Sequence, residues 1–301
     1  MSVKVWIQAA RLRTLPLAIA GAIAGNLIAY AETHHLNTII FLMSVLTGVF
    51  LQILSNYAND YGDYKNGADT KERTDRVMAS GLISESKMKV AIAILIVFIL
   101  ILGISLLTYS IGKFDLQFWL MFAFGIAGIV AAYFYTAGKN PYGYIGLGDL
   151  SVFIFFGILA VMGTYYLQVQ SINSNVWWVA ASIGLLSVGV LNVNNIRDIE
   201  SDAQKKKITI PVMLGYKRAM RYHAFLLVNA ILYLVIFVFT TYHHALQLSF
   251  LITTPLLGKH YLNLRSARGL GRMAYNQQLK YLSLYTLVLS LVFCLSQIIV
   301  F

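Results

Sequence analysis

Two short polar segments in a largely apolar sequence carry the same spacing of an amide and a carboxylate. Asn59 and Asp63 form one Asn-x3-Asp pair, Asn194 and Asp198 form the other, and Asp202 follows four residues later. Residues four apart project from one face of a helix about one turn apart, so each pair would present its side chains together. Carboxylates that are removed from water need a cation or a metal as a partner. The two segments are therefore candidate ion-binding sites.

Facing groups of hard oxygen ligands suit Mg²⁺, which keeps several waters and commonly joins carboxylates to substrate phosphates. A diphosphate held between two metal-bearing helix ends would become a good leaving group, because the metal neutralises the charge that develops. We therefore predict Mg²⁺ as the cofactor. Its predicted ligands, which are also the predicted catalytic set, are Asn59, Asp63, Asp198 and Asp202. The alternative is that these acids only cap helices and neutralise nearby bases. We would favour that interpretation for a single cluster, whereas two related clusters favour a metal and diphosphate site.

The composition places these segments in a membrane protein. The 301 residues are 58% hydrophobic and only 12% charged, whereas about 25% charged residues is typical of a soluble domain. Together with a mean hydropathy of +0.70, these values exclude a disordered chain and argue against a soluble globule. A net charge of +11 would suggest nucleic acid binding in a soluble protein. Here the bases are spread over several loops and interleaved with acids, so we predict no nucleic acid partner.

We predict an all-α polytopic membrane protein with about nine transmembrane helices, since a spanning helix needs about 20 mostly apolar residues. The predicted spans are Leu15–Ala31, Ile39–Ala58, Val90–Ile111, Phe118–Ala137, Leu150–Val169, Val176–Asn195, Tyr222–Tyr242, Ala245–Leu262 and Tyr281–Phe301. Pro255 interrupts the eighth span. The first could instead be a signal peptide, but its apolar run is longer than that of a usual signal sequence, so we expect a retained helix.

The basic residues alternate sharply between the two sides of the predicted membrane. Every Lys and Arg except Lys113 falls in the N-terminal segment or in a connection that follows an even-numbered span. The positive-inside rule therefore places these connections in the cytoplasm. All acids except Glu32 and Asp115 lie on the same side. Because the rule does not require acids there, their clustering indicates a site at the cytoplasmic face.

The two polar segments end the second and the sixth predicted helices, which indicates an internal repeat. Four crossings separate the segments, so the repeat is parallel and both segments face the same side of the membrane. We predict a single transmembrane domain over residues 1–301. Its half-repeats would span about 1–145 and 146–265, followed by a ninth helix at 281–301.

The polar segments resemble the motifs of a known family. Residues 59–63 (Asn-Asp-Tyr-Gly-Asp), continued to Asp69, resemble the first Asp-rich motif of the UbiA superfamily of intramembrane prenyltransferases. Asp198-x3-Asp202 resembles the second motif. The resemblance covers nearly the whole chain, and it implies that Asp69 is a further metal ligand. In a common form of the family, however, the third acid stands where this chain has Gly67.

The sequence after the first motif also follows the family pattern. Residues 75–76 (Asp-Arg) and 80–83 (Ser-Gly-Leu-Ile) are similar to the family segment at this place. This similarity implies that Arg76 binds the diphosphate.

Longer segments resemble one branch of the superfamily, the 1,4-dihydroxy-2-naphthoate polyprenyltransferases. They are residues 11–16, 135–138, 141–149, 155–157 and 163–168, most of them rich in Gly and Tyr. The resemblance implies transfer of a polyprenyl chain from polyprenyl diphosphate to the naphthoate ring. Diphosphate and carbon dioxide leave, and demethylmenaquinol forms for menaquinone biosynthesis. It also implies a multi-pass protein of the bacterial cytoplasmic (inner) membrane, with these two substrates and the lipid bilayer as partners.

Further residues are candidates for substrate binding. Asp60 adjoins the first motif's acid and could orient a ligand or a metal-bound water. Asn194 is favoured by its place in the repeat, although a buried Asn at a helix end often caps the backbone. Lys139 could bind the diphosphate or could be an orientation charge without a ligand. Tyr135 could stabilise an allylic cation with its ring face or belong to the interfacial aromatic belt.

Other functions remain open at this point. A member of the superfamily could use another acceptor, such as 4-hydroxybenzoate or haem, because the Asp-rich motifs do not separate acceptors. A cation-coupled transporter can also combine parallel repeats with intramembrane acids. Its site would lie toward the bilayer midplane, whereas these acids lie at one face.

Overall fold

Helices make up nearly all of the chain that can be described. The computed structural model describes residues 2–67 and 76–300, and these ranges contain helices and no strand. The helices are α1 (Val3–Ala10), α2 (Leu15–Thr33), α3 (Thr38–Lys65), α4 (Glu85–Ile111), α5 (Leu116–Phe134), α6 (Gly148–Val152), α7 (Gly163–Val169), α8 (Val176–Arg197), α9 (Ile199–Gln204), α10 (Ile210–Thr240), α11 (Thr254–Ser266) and α12 (Arg272–Ile298). A π-helical segment, Phe153–Met162, joins α6 to α7. The predicted all-α class is confirmed.

Eight helical stretches in the described ranges are long and apolar enough to cross a membrane. They match eight of the nine predicted spans, with α1 and α2 forming one stretch and Gly148–Val169 another. The remaining predicted span, Ala245–Leu262, consists of a 3-10 segment, Ala245–Thr253, followed by α11. Pro255 lies in the first turn of α11, where the missing proline N–H costs nothing. The proline therefore begins a helix here and does not kink one.

The first spanning helix lies in the centre of the bundle. α2 packs against α3, α12 and the π-helical segment, and Ala20 and Ala24 are fully buried. A Cβ on Gly25 would lie 2.1 Å from both the Thr164 Oγ1 and the Val161 carbonyl oxygen. Small residues allow membrane helices to approach this closely. α2 therefore contributes to the core of the helix bundle, and its retention in the mature protein stays a prediction.

The helices position the two polar segments differently. α3 continues to Lys65, so residues 59–63 lie on an unbroken helix. α8 ends at Arg197, and Asp198 links it to α9 with φ −105° and ψ 10°. The second segment is therefore not one continuous helix. Its acids are still one turn apart, because the Asp202 N–H donates to the Asp198 carbonyl oxygen at 2.8 Å.

Candidate active site

A cavity of about 390 Å³ runs along the inner face of α3. Its lining extends from Ser44 to Asp63, which is roughly 28 Å at the rise of an α-helix. Most of the wall is apolar and comes from α4, α5 and the π-helical segment, including Ile104, Phe124 and Phe155. At one end, which we term the mouth, the wall becomes polar. The polar side chains of the mouth are Arg11, Asn59, Asp63, Arg76, Asn194, Asn195 and Lys207.

Asp63 is held from two sides at the mouth. Arg76 Nη2 donates to Asp63 Oδ2 at 3.0 Å, and the Tyr144 hydroxyl donates to Asp63 Oδ1 at 2.7 Å. One turn earlier, Asn59 Oδ1 accepts a hydrogen bond from Thr136 Oγ1 at 3.1 Å. Both members of the first pair therefore line the cavity with oxygen atoms that already have donors as partners.

Asp60 does not line the cavity and is only 2% exposed. Its Oδ1 accepts from Arg11 Nη2 at 3.0 Å and from Arg76 Nη1 at 3.2 Å. Its Oδ2 accepts from the backbone N–H groups of Val77 and Met78 at 3.2 and 3.4 Å. These contacts fix the segment that carries Arg76. Asp60 therefore positions a cation at the mouth, and it does not face the space where a ligand would lie.

Asp198 is bound by two arginines. Arg197 Nη2 donates to Asp198 Oδ2 at 2.6 Å, and Arg272 Nη2 lies 2.9 Å from Asp198 Oδ1. Arg197 Nη2 also donates to Asn194 Oδ1 at 2.7 Å. The second segment therefore repeats the chemistry of the first, because a guanidinium neutralises the motif carboxylate in both.

Tyr144 and Lys207 connect the two acidic segments. The Tyr144 ring that reaches Asp63 has the Lys207 Nζ over its face, 5.2 Å from the centroid, which is a cation–π contact. Lys207 Nζ also lies 3.7 Å from Asp202 Oδ2. The backbone N–H of Ile208 donates to the Tyr144 carbonyl oxygen at 2.8 Å. The loop between α5 and α6 thus connects the two acidic segments.

Gly62 allows this loop to lie against the first motif. A Cβ at this position would lie 2.4 and 2.5 Å from the carbonyl carbon and oxygen of Thr136, and 2.6 Å from the Ala137 nitrogen. These are backbone atoms that a side chain cannot displace cheaply. The glycine in the middle of the motif therefore sets how closely Asn59 approaches Thr136.

Two tyrosines of the same loop are neutral phenols. Tyr135 lines the cavity, and burial raises the pKa of its phenol. Burial also raises the pKa of Tyr142, whose hydroxyl donates to the Ala131 carbonyl oxygen at 2.8 Å. Their rings pack edge to face with centroids 5.4 Å apart. Tyr135 can therefore offer an aromatic surface or a hydroxyl to a ligand, but not a phenolate base.

The other predicted residues are placed less favourably. Lys139 is exposed and is not part of the cavity lining. Asp69 lies outside the described residues. Sequence reasoning assigned no site role to the cations and the phenol that hold the acids, which are Arg11, Arg197, Arg272, Lys207 and Tyr144. The branch resemblance included residues 11 and 144, and this was the one signal that pointed to them.

The oxygen atoms at the mouth suit a divalent metal by their chemistry. Asn59, Asp63 and Asn194 line the cavity, whereas the buried Asp198 and Asp202 of the second segment do not. The carboxylate and amide oxygens of all five are hard ligands. Within the described ranges, no three His, Cys, Asp or Glu side chains converge as a preformed metal cluster. Water and phosphate oxygens would therefore complete the coordination shell, as is usual for Mg²⁺.

Comparison with known proteins agrees with this arrangement. The chain is 42% identical to a 1,4-dihydroxy-2-naphthoate octaprenyltransferase of Haemophilus influenzae over 85% of this chain and 84% of that protein. It is 41% identical to the protein of the same name from Escherichia coli, over 84% and 82% of the two chains.

A solved structure shares the fold. It is a UbiA homolog from Archaeoglobus fulgidus bound to GPP and Mg²⁺, with a TM-score of 0.59, 14% identity, and coverage of 94% of this chain and 99% of that one. A family model for UbiA prenyltransferases matches residues 18–270, which include both acidic segments, most of α2 and all of α3 to α8. The chain belongs to the UbiA prenyltransferase family.

Proposed function

We propose that this protein transfers a polyprenyl chain from polyprenyl diphosphate to 1,4-dihydroxy-2-naphthoate, with loss of the ring carboxylate, to give demethylmenaquinol for menaquinone biosynthesis. The names of the two bacterial relatives support this acceptor. The observation that carries the proposal is the meeting of two cation-bound acidic segments at one mouth of a long, mainly apolar cavity. A diphosphate suits the mouth, and an isoprenoid tail suits the cavity.

Mg²⁺ is the proposed cofactor. Asn59, Asp63, Asn194 and Asp198 would hold it, and Asp202, one turn beyond Asp198, completes the proposed set. When bound, the metal would neutralise charge on the leaving diphosphate. The predicted role of Asp69 stays a prediction. The Mg²⁺ in the A. fulgidus homolog supports the choice of metal.

The mouth also supplies fixed positive charge for the phosphate oxygens. Arg76 and Lys207 line the cavity, and each is within ion-pair distance of an acid of a motif, at 3.0 and 3.7 Å. Charge-assisted hydrogen bonds from guanidinium and ammonium groups to phosphate are strong and directional. These two side chains would orient the diphosphate so that its prenyl carbon enters the cavity.

The acceptor ring then displaces the diphosphate. The bond between the prenyl carbon and the diphosphate oxygen breaks with its electrons on the oxygen, and a carbon–carbon bond forms to the ring. Departure of the carboxylate as carbon dioxide returns an electron pair to the ring and restores aromaticity. No ring proton has to be removed at that carbon, which agrees with the neutral phenols of Tyr135 and Tyr142 beside the cavity. The apolar wall of the cavity would keep water from the allylic cation.

We further propose that the mouth faces the cytoplasm of a bacterium, in the inner membrane. The distribution of Lys and Arg supports this orientation. A cysteine introduced at Lys206 should then react with an impermeant maleimide only in opened cells, and one introduced at Lys113 should react in intact cells. The opposite labelling pattern would refute the orientation.

The direct test uses purified protein in lipid or detergent with Mg²⁺, octaprenyl diphosphate and 1,4-dihydroxy-2-naphthoate. We expect a product whose mass shows addition of the prenyl group and loss of the carboxylate, together with released diphosphate. Asp63→Ala and Asp198→Ala should abolish both products. Diphosphate release that is unchanged in both variants would contradict the role of these two acids, and no diphosphate release by the wild-type protein would favour the transporter alternative.

The acceptor alternative is tested in the same assay. Prenylation of 4-hydroxybenzoate with no reaction of the naphthoate would show that the acceptor is wrong while the prenyltransferase assignment holds.

A further inference from the structure

A polar cluster lies on the cavity wall deeper in the membrane than the acidic mouth. Gln52, Asn56 and Thr14 all line the cavity, and Gln52 is only 8% exposed. Gln52 precedes Asn59 by seven residues on α3, so it lies about 10 Å further along the helix. A buried glutamine in a membrane helix is costly unless its amide is fully hydrogen-bonded.

The hydrogen bonds of this cluster fix the orientation of each amide. The Ala10 carbonyl can only accept, and Asn56 Nδ2 donates to it at 2.8 Å. Asn56 Oδ1 is therefore the atom that faces Gln52, and it accepts from Gln52 Nε2 at 3.2 Å. Gln52 Nε2 also donates to Thr14 Oγ1 at 3.1 Å, and the Thr14 hydroxyl donates in turn to the Arg11 carbonyl at 3.0 Å. If the Gln52 amide were flipped, its Oε1 would face Asn56 Oδ1, and both of these atoms are acceptors.

The oxygen of Gln52 is left without a partner. In the described part of the chain, no donor makes a hydrogen bond to the buried Gln52 Oε1. An unpaired buried acceptor in a native protein calls for an explanation, such as a ligand or an ordered water. Because Gln52 lines the cavity, a molecule bound in the cavity can supply the missing donor after a small movement of the side chain.

The chemistry of the two substrates narrows the choice of that donor. Phosphate oxygens would repel Oε1, because ionised diphosphate offers acceptors only. An isoprenoid tail has no donor. The hydroxyl groups of the acceptor ring are the donors that the proposed substrates contain. We infer that Gln52 recognises a hydroxyl of the aromatic acceptor and is a specificity-determining residue for it, an inference that rests on the proposed function.

This assignment also gives the acceptor a place. A ring with its hydroxyl at Gln52 would lie between that residue and the mouth, beside the carbon from which the diphosphate departs. Asn56 and Thr14, whose polar hydrogens are already used, position Gln52 and need not contact the ring.

The test compares acceptors with and without each hydroxyl: 1,4-dihydroxy-2-naphthoate, 1-hydroxy-2-naphthoate and 4-hydroxy-2-naphthoate. In the wild-type protein, an analogue without the recognised hydroxyl should have a lower kcat/KM for two reasons. Its ring is a weaker nucleophile, and it cannot make the hydrogen bond to Gln52. Gln52→Met keeps the length of the side chain and removes the acceptor. For the analogue that lacks the recognised hydroxyl, we compare the ratio of kcat/KM for the parent acceptor to kcat/KM for the analogue. This ratio should be about two- to tenfold smaller in Gln52→Met than in the wild-type protein, which is the range of one neutral hydrogen bond. The KM for octaprenyl diphosphate should not change.

The controls separate recognition from a structural effect. Gln52→Asn retracts the oxygen by one methylene and should show the same loss if Gln52→Met does not fold. Gln297→Met removes a fully buried glutamine that does not line the cavity, and it should leave the discrimination at the wild-type value. Unchanged discrimination for both analogues in both Gln52 variants would overturn the inference. If the wild-type protein does not prenylate the naphthoate at all, the proposed function fails instead.

Discussion

Replacing Arg76 with methionine should destabilise the protein as well as inactivate it. The Arg76 side chain is 10% exposed and lies between Asp60 and Asp63, whose side chains are 2% and 7% exposed, at 3.2 and 3.0 Å. Removing one partner of a buried ion pair typically costs about 3–5 kcal/mol, because the other charge is left without compensation.

The expected cost here is smaller because each carboxylate keeps other partners. Asp60 retains Arg11 and two backbone N–H groups, and Asp63 retains the Tyr144 hydroxyl. Hydrogen bonds to a charged group contribute about 1.5–3 kcal/mol each. We therefore expect Arg76→Met to lower the free energy of unfolding by about 2–3 kcal/mol. Arg76→Lys keeps the charge but not the planar fork that bridges two carboxylates, so it should lose about 1 kcal/mol.

Unfolding by SDS in mixed micelles, followed by far-UV circular dichroism, measures these differences. Lys113→Met is the control, because Lys113 is exposed and a surface substitution usually changes stability by less than about 0.5 kcal/mol. Prenyl transfer by Arg76→Met should be lost even at temperatures where the variant stays folded. Arg76→Met as stable as Lys113→Met would refute the view that this guanidinium neutralises both acids.

Four further outcomes follow from the contacts at the mouth. Gly62→Ala should reduce turnover at least tenfold, because its Cβ would meet the backbone at 2.4–2.6 Å; Gly258→Ala, with no atom within 4 Å, should not change turnover. Tyr144→Phe removes the 2.7 Å hydrogen bond to Asp63 and should lower kcat/KM about tenfold or more. Lys207→Met should raise the KM for prenyl diphosphate, whereas Lys206→Met, at an exposed position, should not; equal KM values would contradict the role of Lys207. Chelation with EDTA should abolish prenyl transfer and added Mg²⁺ should restore it, and activity that persists under EDTA would contradict a metal requirement.

Most of the fold could be predicted from the sequence because membrane helices are specified by length and hydropathy alone. The prediction was weakest at residues 245–262, where a 3-10 segment leads into α11. Local hydropathy does not distinguish a 3-10 helix from an α-helix within an apolar stretch. The end of α8 at Arg197 also could not be predicted from the spacing of the acids. Asp198 and Asp202 stay one helical turn apart even though the helix is interrupted between them and the preceding residues.

The acids of the candidate site could be predicted, but apart from Arg76, which the family resemblance indicated, their partners could not. Acids are scarce in this chain, so a repeated Asn-x3-Asp spacing stands out against the apolar background. Bases are numerous on the same side of the membrane, and the positive-inside rule accounts for all of them equally. Arg272 reaches Asp198 from a helix that begins 74 residues later, so only the tertiary packing separates it from its neighbours. Tyr144 is likewise one of 19 tyrosines.

The arginine partners explain how carboxylates can lie at the edge of a membrane before a substrate binds. A guanidinium compensates the desolvated charge of Asp63 and of Asp198, which an apolar setting otherwise penalises. Of these two guanidinium groups, that of Arg76 lines the cavity, where the proposed diphosphate would need donors, and that of Arg197 does not. The acids and the bases of the candidate site therefore depend on each other, because the acids hold the proposed phosphate-binding groups in place and the bases compensate the charge of the proposed metal ligands. A site of this kind loses both properties when either charge is removed, so its acids and its bases cannot be exchanged for neutral residues one at a time without loss of function.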